Sequence, residues 1–91
     1  MSHRIMIVED DPVIAGAMEQ YISGWGHQVH RTRNLQDVMP EFAEFQPQLV
    51  LLDISLPFFD GYHWCQEIRK ISQVPVIFIS SASENLNITW R

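Results

Sequence analysis

The sequence predicts a doubly wound α/β domain, in which helices cover both faces of a parallel sheet. Continuous apolar runs at residues 5–8, 49–52 and 76–79 predict strands that are buried on both faces. Longer segments between these runs carry apolar residues at helical spacing. This alternation is typical of strand–helix–strand units with right-handed crossovers, so we expect the element order β-α-β-α-β-α-β.

Length and composition are consistent with one small domain that spans residues 1–91. The chain carries 46% hydrophobic and 19% charged residues, enough apolar side chains for a core. Its formal charge of −5 argues against nucleic-acid binding by this segment, which needs a clustered basic face. No apolar run approaches the roughly 18 residues of a membrane span. The single cysteine, Cys65, excludes an internal disulfide, and we expect a cytoplasmic protein.

The first strand and helix have clear boundaries. Residues 5–8 end at three acids, and Pro12 suits the first turn of a helix that Asp11 caps. Apolar residues then recur at helical spacing as far as Ile22, and residues 24–26, Gly-Trp-Gly, end the helix.

The middle of the chain is less sharply patterned. Gln28–Arg31 reads as a short edge strand, and residues 34–45 read as a helix with Pro40 inside it. An interior proline costs about 3 kcal/mol, so we predict that this helix begins late, with Asp37 as its cap. Residues 61–71 form the third predicted helix, with apolar residues on one side.

Carboxylates follow two of the three buried strands. Glu9 and Asp10 come after the first strand, and Asp53 comes after the strand at residues 49–52. The carboxyl ends of parallel strands meet at one edge of a sheet, where ligands bind. Converging carboxylates repel one another unless a cation neutralises them, and hard oxygen ligands favour Mg²⁺. A carboxylate in such a site can attack phosphorus and form an aspartyl phosphate.

Each of these residues also has a simpler structural explanation. We interpret Asp11 as a helix cap, because a proline and a helix follow it. Glu9 and Asp10 alone would be loop acids about as often as ligands, but the additional Asp53 makes a loop role improbable. Ser80 and Ser81 follow the strand at residues 76–79 and are weak signals by themselves. The histidines, tryptophans and Cys65 are interpreted as packing or surface residues.

Three motifs together resemble the receiver domain of bacterial two-component response regulators. They are residues 7–11 (I-V-E-D-D), residues 51–61 (L-L-D-I-S-L-P-F-F-D-G) and residues 75–81 (P-V-I-F-I-S-S). The D-x-x-L-P-x-x-D-G spacing is the most specific of them. Residues 58–65 resemble the winged-helix OmpR/PhoB class, near the BceR/GraR type that answers peptide antibiotics. The resemblance implies a flavodoxin/CheY-like sheet with strand order 2-1-3-4.

The resemblance assigns the central roles. A sensor histidine kinase would phosphorylate Asp53, and the change would control a transcriptional output. Asp10 and Asp53 would bind Mg²⁺ directly, with the backbone carbonyl of Ser55 as a third ligand and Glu9 acting through water.

The resemblance also assigns the surrounding residues. The hydroxyl of Ser80 would move toward the phosphoryl group, and the backbone N–H of Ser81 would contact it. Pro57 and Gly61 would shape the loop beside the acceptor. Such a domain is not an enzyme in the usual sense.

The chain departs from the family after the strand at residues 76–79. We expect the chain to lack most of the fourth helix, the fifth strand and the helix that follows it. We also expect it to lack the lysine at the end of that strand and a DNA-binding domain. The only lysine is Lys70. Without a fifth strand, residues 76–79 would form a bare apolar edge, and we expect the chain to form a homodimer. DNA would be reached only through a downstream domain.

Two other functions compete with a phosphorylation switch. A constitutive or degenerate receiver would act as a protein-interaction module without switching. A haloacid-dehalogenase-like phosphatase also uses an aspartate at a strand end, but it requires D-x-D, and Ser55 stands at the second position.

Overall fold

A computed structural model describes residues 2–80 and the backbone of residues 87–90. In this part of the chain, strands and helices alternate as predicted, and one further strand follows. The strands are β1 (Arg4–Val8), β2 (Gln28–Arg31), β3 (Leu49–Asp53), β4 (Val76–Ser80) and β5 (Asn87–Trp90). The helices are α1 (Pro12–Gly24), α2 (Met39–Phe45) and α3 (Gly61–Arg69).

The five strands form one sheet in the order β2-β1-β3-β4-β5. Strands β1 to β4 are mutually parallel, which confirms the predicted order 2-1-3-4. In the register of the sheet, Val8 pairs with Leu52. Residues that follow β1 and β3 therefore lie side by side at the carboxyl edge of the sheet.

Strand β5 corrects one prediction. It runs antiparallel to β4, with Ile77 opposite Trp90 and Ser80 opposite Asn87. The prediction that residues 76–79 form a bare edge is therefore wrong. Residues 88–90, Ile-Thr-Trp, are β-branched or aromatic, and such residues favour a strand. Residues 81–86 lie outside the described part of the chain.

The helix starts agree with the sequence except at one cap. Asp11 caps α1, because its Oδ1 accepts a hydrogen bond from the Val13 N–H at 2.9 Å. Helix α2 begins late, as predicted, but its cap is Val38 and not Asp37. The Phe42 N–H donates to the Val38 carbonyl at 3.1 Å, and the Val38 side chain is fully buried. Apolar burial therefore determines where α2 begins.

The core is divided between the two faces of the sheet. The larger cluster lies on the side of α2 and α3, and its members are Met6, Val8, Val38, Phe42, Val50, Leu52, Trp64, Ile68, Val74, Val76 and Phe78. Strand residues of opposite parity, such as Ile5 and Ile7, are buried on the face that α1 covers. None of the described helices has the length and apolar character needed to cross a membrane.

Candidate functional site

Three carboxylates converge at the carboxyl edge of the sheet. Glu9 and Asp10 directly follow β1, and Asp53 is the last residue of the neighbouring strand β3. One oxygen from each of the three lies within 4.8 Å of the other two. The convergence expected from the strand ends is therefore present. Asp11 does not belong to this group, because its carboxylate caps α1.

Two of these carboxylates are withdrawn from solvent. Asp53 is 1% exposed and Glu9 is 6% exposed, whereas Asp10 faces solvent. Backbone N–H groups hold both buried side chains: Ser55 donates to Asp53 Oδ1 at 3.0 Å, and Asp11 donates to Glu9 Oε2 at 2.9 Å. The other oxygen of Glu9, Oε1, is buried and accepts no hydrogen bond from any described residue. A buried oxygen without a donor favours a cation as its partner.

The electrostatics of the site also favour a cation. The pKa of Glu9 is raised to about 7, and burial is the largest cause. The hydrogen bond from the Asp11 N–H lowers this pKa, whereas the neighbouring carboxyls of Asp53 and Asp10 raise it further. A divalent cation would remove the repulsion that opposes ionisation of Glu9. The oxygen donors and the solvent-facing Asp10 fit an ion such as Mg²⁺, which takes carboxylates together with water or phosphate.

The loop between β3 and α3 brings the main chain unusually close to Asp53. A Cβ atom on Gly61 would lie 2.2 Å from the Asp53 carbonyl oxygen, so only glycine fits there. The Gly61 N–H donates to the Ile54 carbonyl at 2.9 Å, and Asp60 Oδ1 caps α3 by accepting from the His63 N–H. The start of α3 is therefore fixed against the strand that carries Asp53.

The same loop contains a tight turn around Phe58. Phe58 has a φ of 70°, and the Phe59 N–H donates to the Pro57 carbonyl at 2.9 Å. This three-residue pattern is a γ-turn with a left-handed central residue, a strained and rare form. The Phe58 side chain is consequently directed into solvent and is 67% exposed.

Ser80 lies at the same edge, on the next strand. Asp53 pairs with Ile79 across β3 and β4, so Ser80 is one residue further toward the carboxyl edge. Its side chain is half-buried. Ser81, the second predicted phosphate contact, lies outside the described residues.

A carboxylate that sequence analysis did not single out organises the neighbouring loop. Glu41, in the first turn of α2, accepts from His30 Nε2 at 2.6 Å and from the N–H groups of Arg33 and Asn34, each at 2.9 Å. Burial would raise the pKa of Glu41, but the hydrogen bonds from Asn34, Arg33 and His30 outweigh it, so the pKa is lowered. The only signal in the sequence was a histidine on an edge strand followed by a glutamate on the next helix.

Comparison with known proteins gives a consistent result. The family model described as "Response regulator receiver domain" matches residues 5–89. The uncharacterized transcriptional regulatory protein YvcP of Bacillus subtilis is 49% identical over 85 residues, which are 93% of this chain and 36% of that protein. The sensory transduction protein BceR of Halalkalibacterium halodurans is 44% identical over 78 residues, or 86% of this chain and 34% of that protein. The chain thus spans about a third of the length of these relatives.

Solved structures share the fold. The N-terminal domain of the nisin resistance regulator NsrR, a lantibiotic response regulator, is 40% identical with a TM-score of 0.80, over 91% of this chain and 71% of that one. The structure of the histidine kinase ThkA in complex with the response regulator protein TrrA contains a chain that is 26% identical. Its TM-score is 0.78, over 90% of this chain and 72% of that one.

Proposed function

The chain belongs to the response regulator receiver family, and on this premise we propose that Asp53 accepts a phosphoryl group that switches a transcriptional output. The resemblance seen in the three motifs, including the likeness to BceR-type regulators, is confirmed. The observation that carries the proposal is the meeting of Glu9, Asp10 and Asp53, whose oxygens lie within 4.8 Å of one another.

The proposed transfer is a displacement at phosphorus. An oxygen of the Asp53 carboxylate bonds to the phosphorus of a phosphohistidine on a sensor kinase. The bond between phosphorus and the imidazole nitrogen breaks, and the imidazole leaves with the electron pair and takes up a proton. The Ser55 N–H, which donates to Asp53 Oδ1, holds the carboxylate in one orientation during this step.

We assign the metal-binding role to the residues of the same edge. Asp10 and Asp53 would bind Mg²⁺ directly, the Ser55 carbonyl would be a third ligand, and Glu9 would act through water. The ion supplies positive charge where negative charge gathers in the reaction. The unpartnered Oε1 of Glu9 supports this assignment.

The remaining residues of the site would contact the phosphoryl group or shape the loop beside Asp53. The Ser80 hydroxyl would donate a hydrogen bond to a phosphoryl oxygen, and its place one residue beyond the Asp53 register supports this role. The backbone N–H of Ser81 would be a further donor. Pro57 and Gly61 would keep the loop in the shape that places the acceptor, and the close approach at Gly61 supports their part.

Partners and location follow from the same proposal. A histidine kinase would be the phosphoryl donor, and the similar structure of ThkA with TrrA is a complex between such a kinase and a response regulator. We propose a homodimer as the assembled form, and DNA contact through a further part of the whole protein. The domain would work in the cytoplasm, which suits its free thiol, Cys65. It is not an enzyme in the usual sense, because the transferred group stays on its own aspartate.

Phosphoryl transfer can be tested with acetyl phosphate and Mg²⁺. We expect intact-mass spectrometry to show one added phosphate that base removes, and no addition to Asp53→Asn. Asp37→Asn is the matched control, because Asp37 is an exposed carboxylate away from the site. Labelling that persists in Asp53→Asn would refute the assignment of the acceptor.

Metal binding is tested separately by titrating Mg²⁺ and beryllofluoride while recording amide NMR spectra. Shifts at the carboxyl edge that weaken several-fold in Asp10→Asn are expected. If Mg²⁺ and beryllofluoride leave the spectrum unchanged, the domain is a constitutive interaction module and not a switch.

A further inference from the structure

The carboxylate of Asp53 can be reached from one side only. Asp53 is the last residue of β3 and is 1% exposed. Strands β1 and β4 flank β3, and α3 begins directly against it. In the proposed transfer, the phosphorus of the donor must come to within about 3–3.5 Å of an Asp53 oxygen. A protein donor therefore has to lie against the loops at the carboxyl edge of the sheet.

The loop that follows β3 carries two exposed phenylalanines at this edge. The Gly61 N–H donates to the Ile54 carbonyl at 2.9 Å, which closes residues 55–60 into a compact loop. Phe58 lies in the middle of that loop and is 67% exposed, and Phe59 beside it is 45% exposed. A protein that covers the carboxyl edge would therefore contact these rings as well.

Both rings are held in place before any partner binds. The backbone of Phe58 is fixed in the tight turn that the hydrogen bond from the Phe59 N–H to the Pro57 carbonyl closes. The Phe59 ring stacks on His63, with centroids 4.4 Å apart and planes 20° apart, and meets the buried Trp64 edge-on at 5.5 Å. A side chain that is already ordered loses little conformational entropy on binding.

Folding of the domain gives no reason for a phenylalanine at the turn. A φ of 70° strains a residue that has a side chain, whereas glycine adopts it without strain. A ring that remains exposed also gains little free energy from burial. Strain at a site beside an acceptor is a signal of function, and ordered, exposed aromatic rings are typical of the central contacts in protein interfaces.

The charge around the two rings indicates what kind of surface fits them. Residues 9–11 and 53–60 contain five carboxylates and neither lysine nor arginine; the acids are Glu9, Asp10, Asp11, Asp53 and Asp60. Such an edge repels nucleic acid and attracts a basic protein surface. The complementary partner has an apolar pocket for the rings, bordered by lysine or arginine.

We propose that Phe58, supported by Phe59, binds an apolar pocket on the phosphohistidine-bearing kinase and thereby determines which kinases phosphorylate this protein. The inference rests on the phosphoryl transfer proposed above and adds a docking residue to it. Phe58 would contact neither phosphorus nor Mg²⁺, so a donor without a protein surface, such as acetyl phosphate, should not depend on it.

The test compares phosphoryl transfer from a protein donor with transfer from acetyl phosphate. The protein donors are autophosphorylated cytoplasmic portions of histidine kinases, of which the fastest toward the unaltered protein is used. Phe58→Gly should lower kcat/KM for that kinase by on the order of tenfold or more, through KM, with kcat and the acetyl phosphate rate unchanged. Phe58→Tyr should retain most of the transfer.

Two controls separate docking from folding. Ile71 lies beyond the far end of α3 and is 64% exposed, so Ile71→Ser removes an exposed apolar side chain away from the edge and should leave kinase transfer unchanged. Phe58→Gly also relieves the strained φ, so its midpoint of urea unfolding should stay equal or rise. Slower transfer from the kinase then has no origin in lost stability.

The outcomes distinguish this proposal from the one it rests on. Unchanged kinase transfer in Phe58→Gly, or an equal loss with the kinase and with acetyl phosphate, would overturn the docking role alone. The docking role would also be overturned if acetyl phosphate labels the unaltered protein and no kinase does. Absence of labelling by any donor would instead refute Asp53 as the acceptor.

Discussion

The loops that lead from β2 to α2 and from β3 to α3 each fix the start of a helix beside a strand, but they do so through different contacts. At β3–α3, the main chain makes the contact: the Gly61 N–H bonds Ile54, and Asp60 caps its own helix. At β2–α2, the helix has no side-chain cap, and Glu41 reaches back to bind Arg33, Asn34 and His30. The β3–α3 junction therefore depends on the absence of a side chain at Gly61, and the β2–α2 junction depends on the charge of Glu41.

The strongest test of the difference is Gly61→Ala. The new Cβ would lie 2.2 Å from the Asp53 carbonyl oxygen, which is main chain and cannot turn aside. We expect a loss of about 3 kcal/mol in the free energy of unfolding, measured with urea, because α3 must shift away from β3. Mg²⁺ binding should weaken as well. Gly24→Ala is the control, since no atom lies within 4 Å of its Cβ position. Equal stability of the two variants would show that the close approach is not required.

The second junction should break when its charge is removed. In Glu41→Gln, the amide nitrogen would face backbone N–H donors or His30 in place of an acceptor. We expect a loss of about 2 kcal/mol in the free energy of unfolding at neutral pH. Glu44→Gln, an exposed carboxylate on the same helix, is the matched control and should have little effect.

The pH dependence of that loss separates the two junctions. The pKa of Glu41 is lowered from 4.5, so its contribution to stability is complete above that pH and disappears as pH falls through the lower, folded-state value. The difference between the unaltered protein and Glu41→Gln should therefore shrink in acid, whereas the effect of Gly61→Ala should not follow Glu41 ionisation. Urea unfolding curves at a series of pH values measure both differences in the free energy of unfolding. A constant difference down to strongly acidic pH would contradict the charge-based account of α2.

A smaller effect is expected at the cap of α3. Asp60→Ala removes the acceptor of the His63 N–H and should cost about 1 kcal/mol. Asp60→Asn retains a side-chain oxygen and should restore most of the loss. If both variants are equally unstable, the carboxylate charge, and not its hydrogen bond, supports the start of α3.

The smallest effect is expected beyond the other end of α3. Lys70 Nζ lies 2.7 Å from Glu67 Oε2, and the hydrogen bond to Lys70 lowers the pKa of Glu67. Both side chains are at the surface, so solvent screens the pair. We expect no measurable change in the midpoint of urea unfolding for Lys70→Ala. A clear decrease in that midpoint would mean that this surface ion pair contributes to the stability of the domain.

The features that could be predicted from the sequence are those that adjacent residues along the chain determine. Glu9, Asp10 and Asp53 directly follow apolar runs, and parallel pairing then places them at one edge whatever the details of the loops. The start of α2 could not be predicted, because burial of Val38 competes with the polar cap that Asp37 offers. The role of Glu41 depends on His30, eleven residues away. Strand β5 depends on its pairing with β4, which local sequence does not specify.

The order of the strands also has a consequence for synthesis of the chain. Strand β1 is made first, yet it lies inside the sheet, where Ile5 pairs with Val29 on one side and with Leu49 on the other. A ribosome must therefore deliver β3 before the second edge of β1 can be covered. Until then, the nascent chain carries an apolar strand with an uncovered edge, which is the kind of segment that is prone to aggregation. The exposure of each new molecule therefore lasts at least as long as the translation of the residues between β1 and β3.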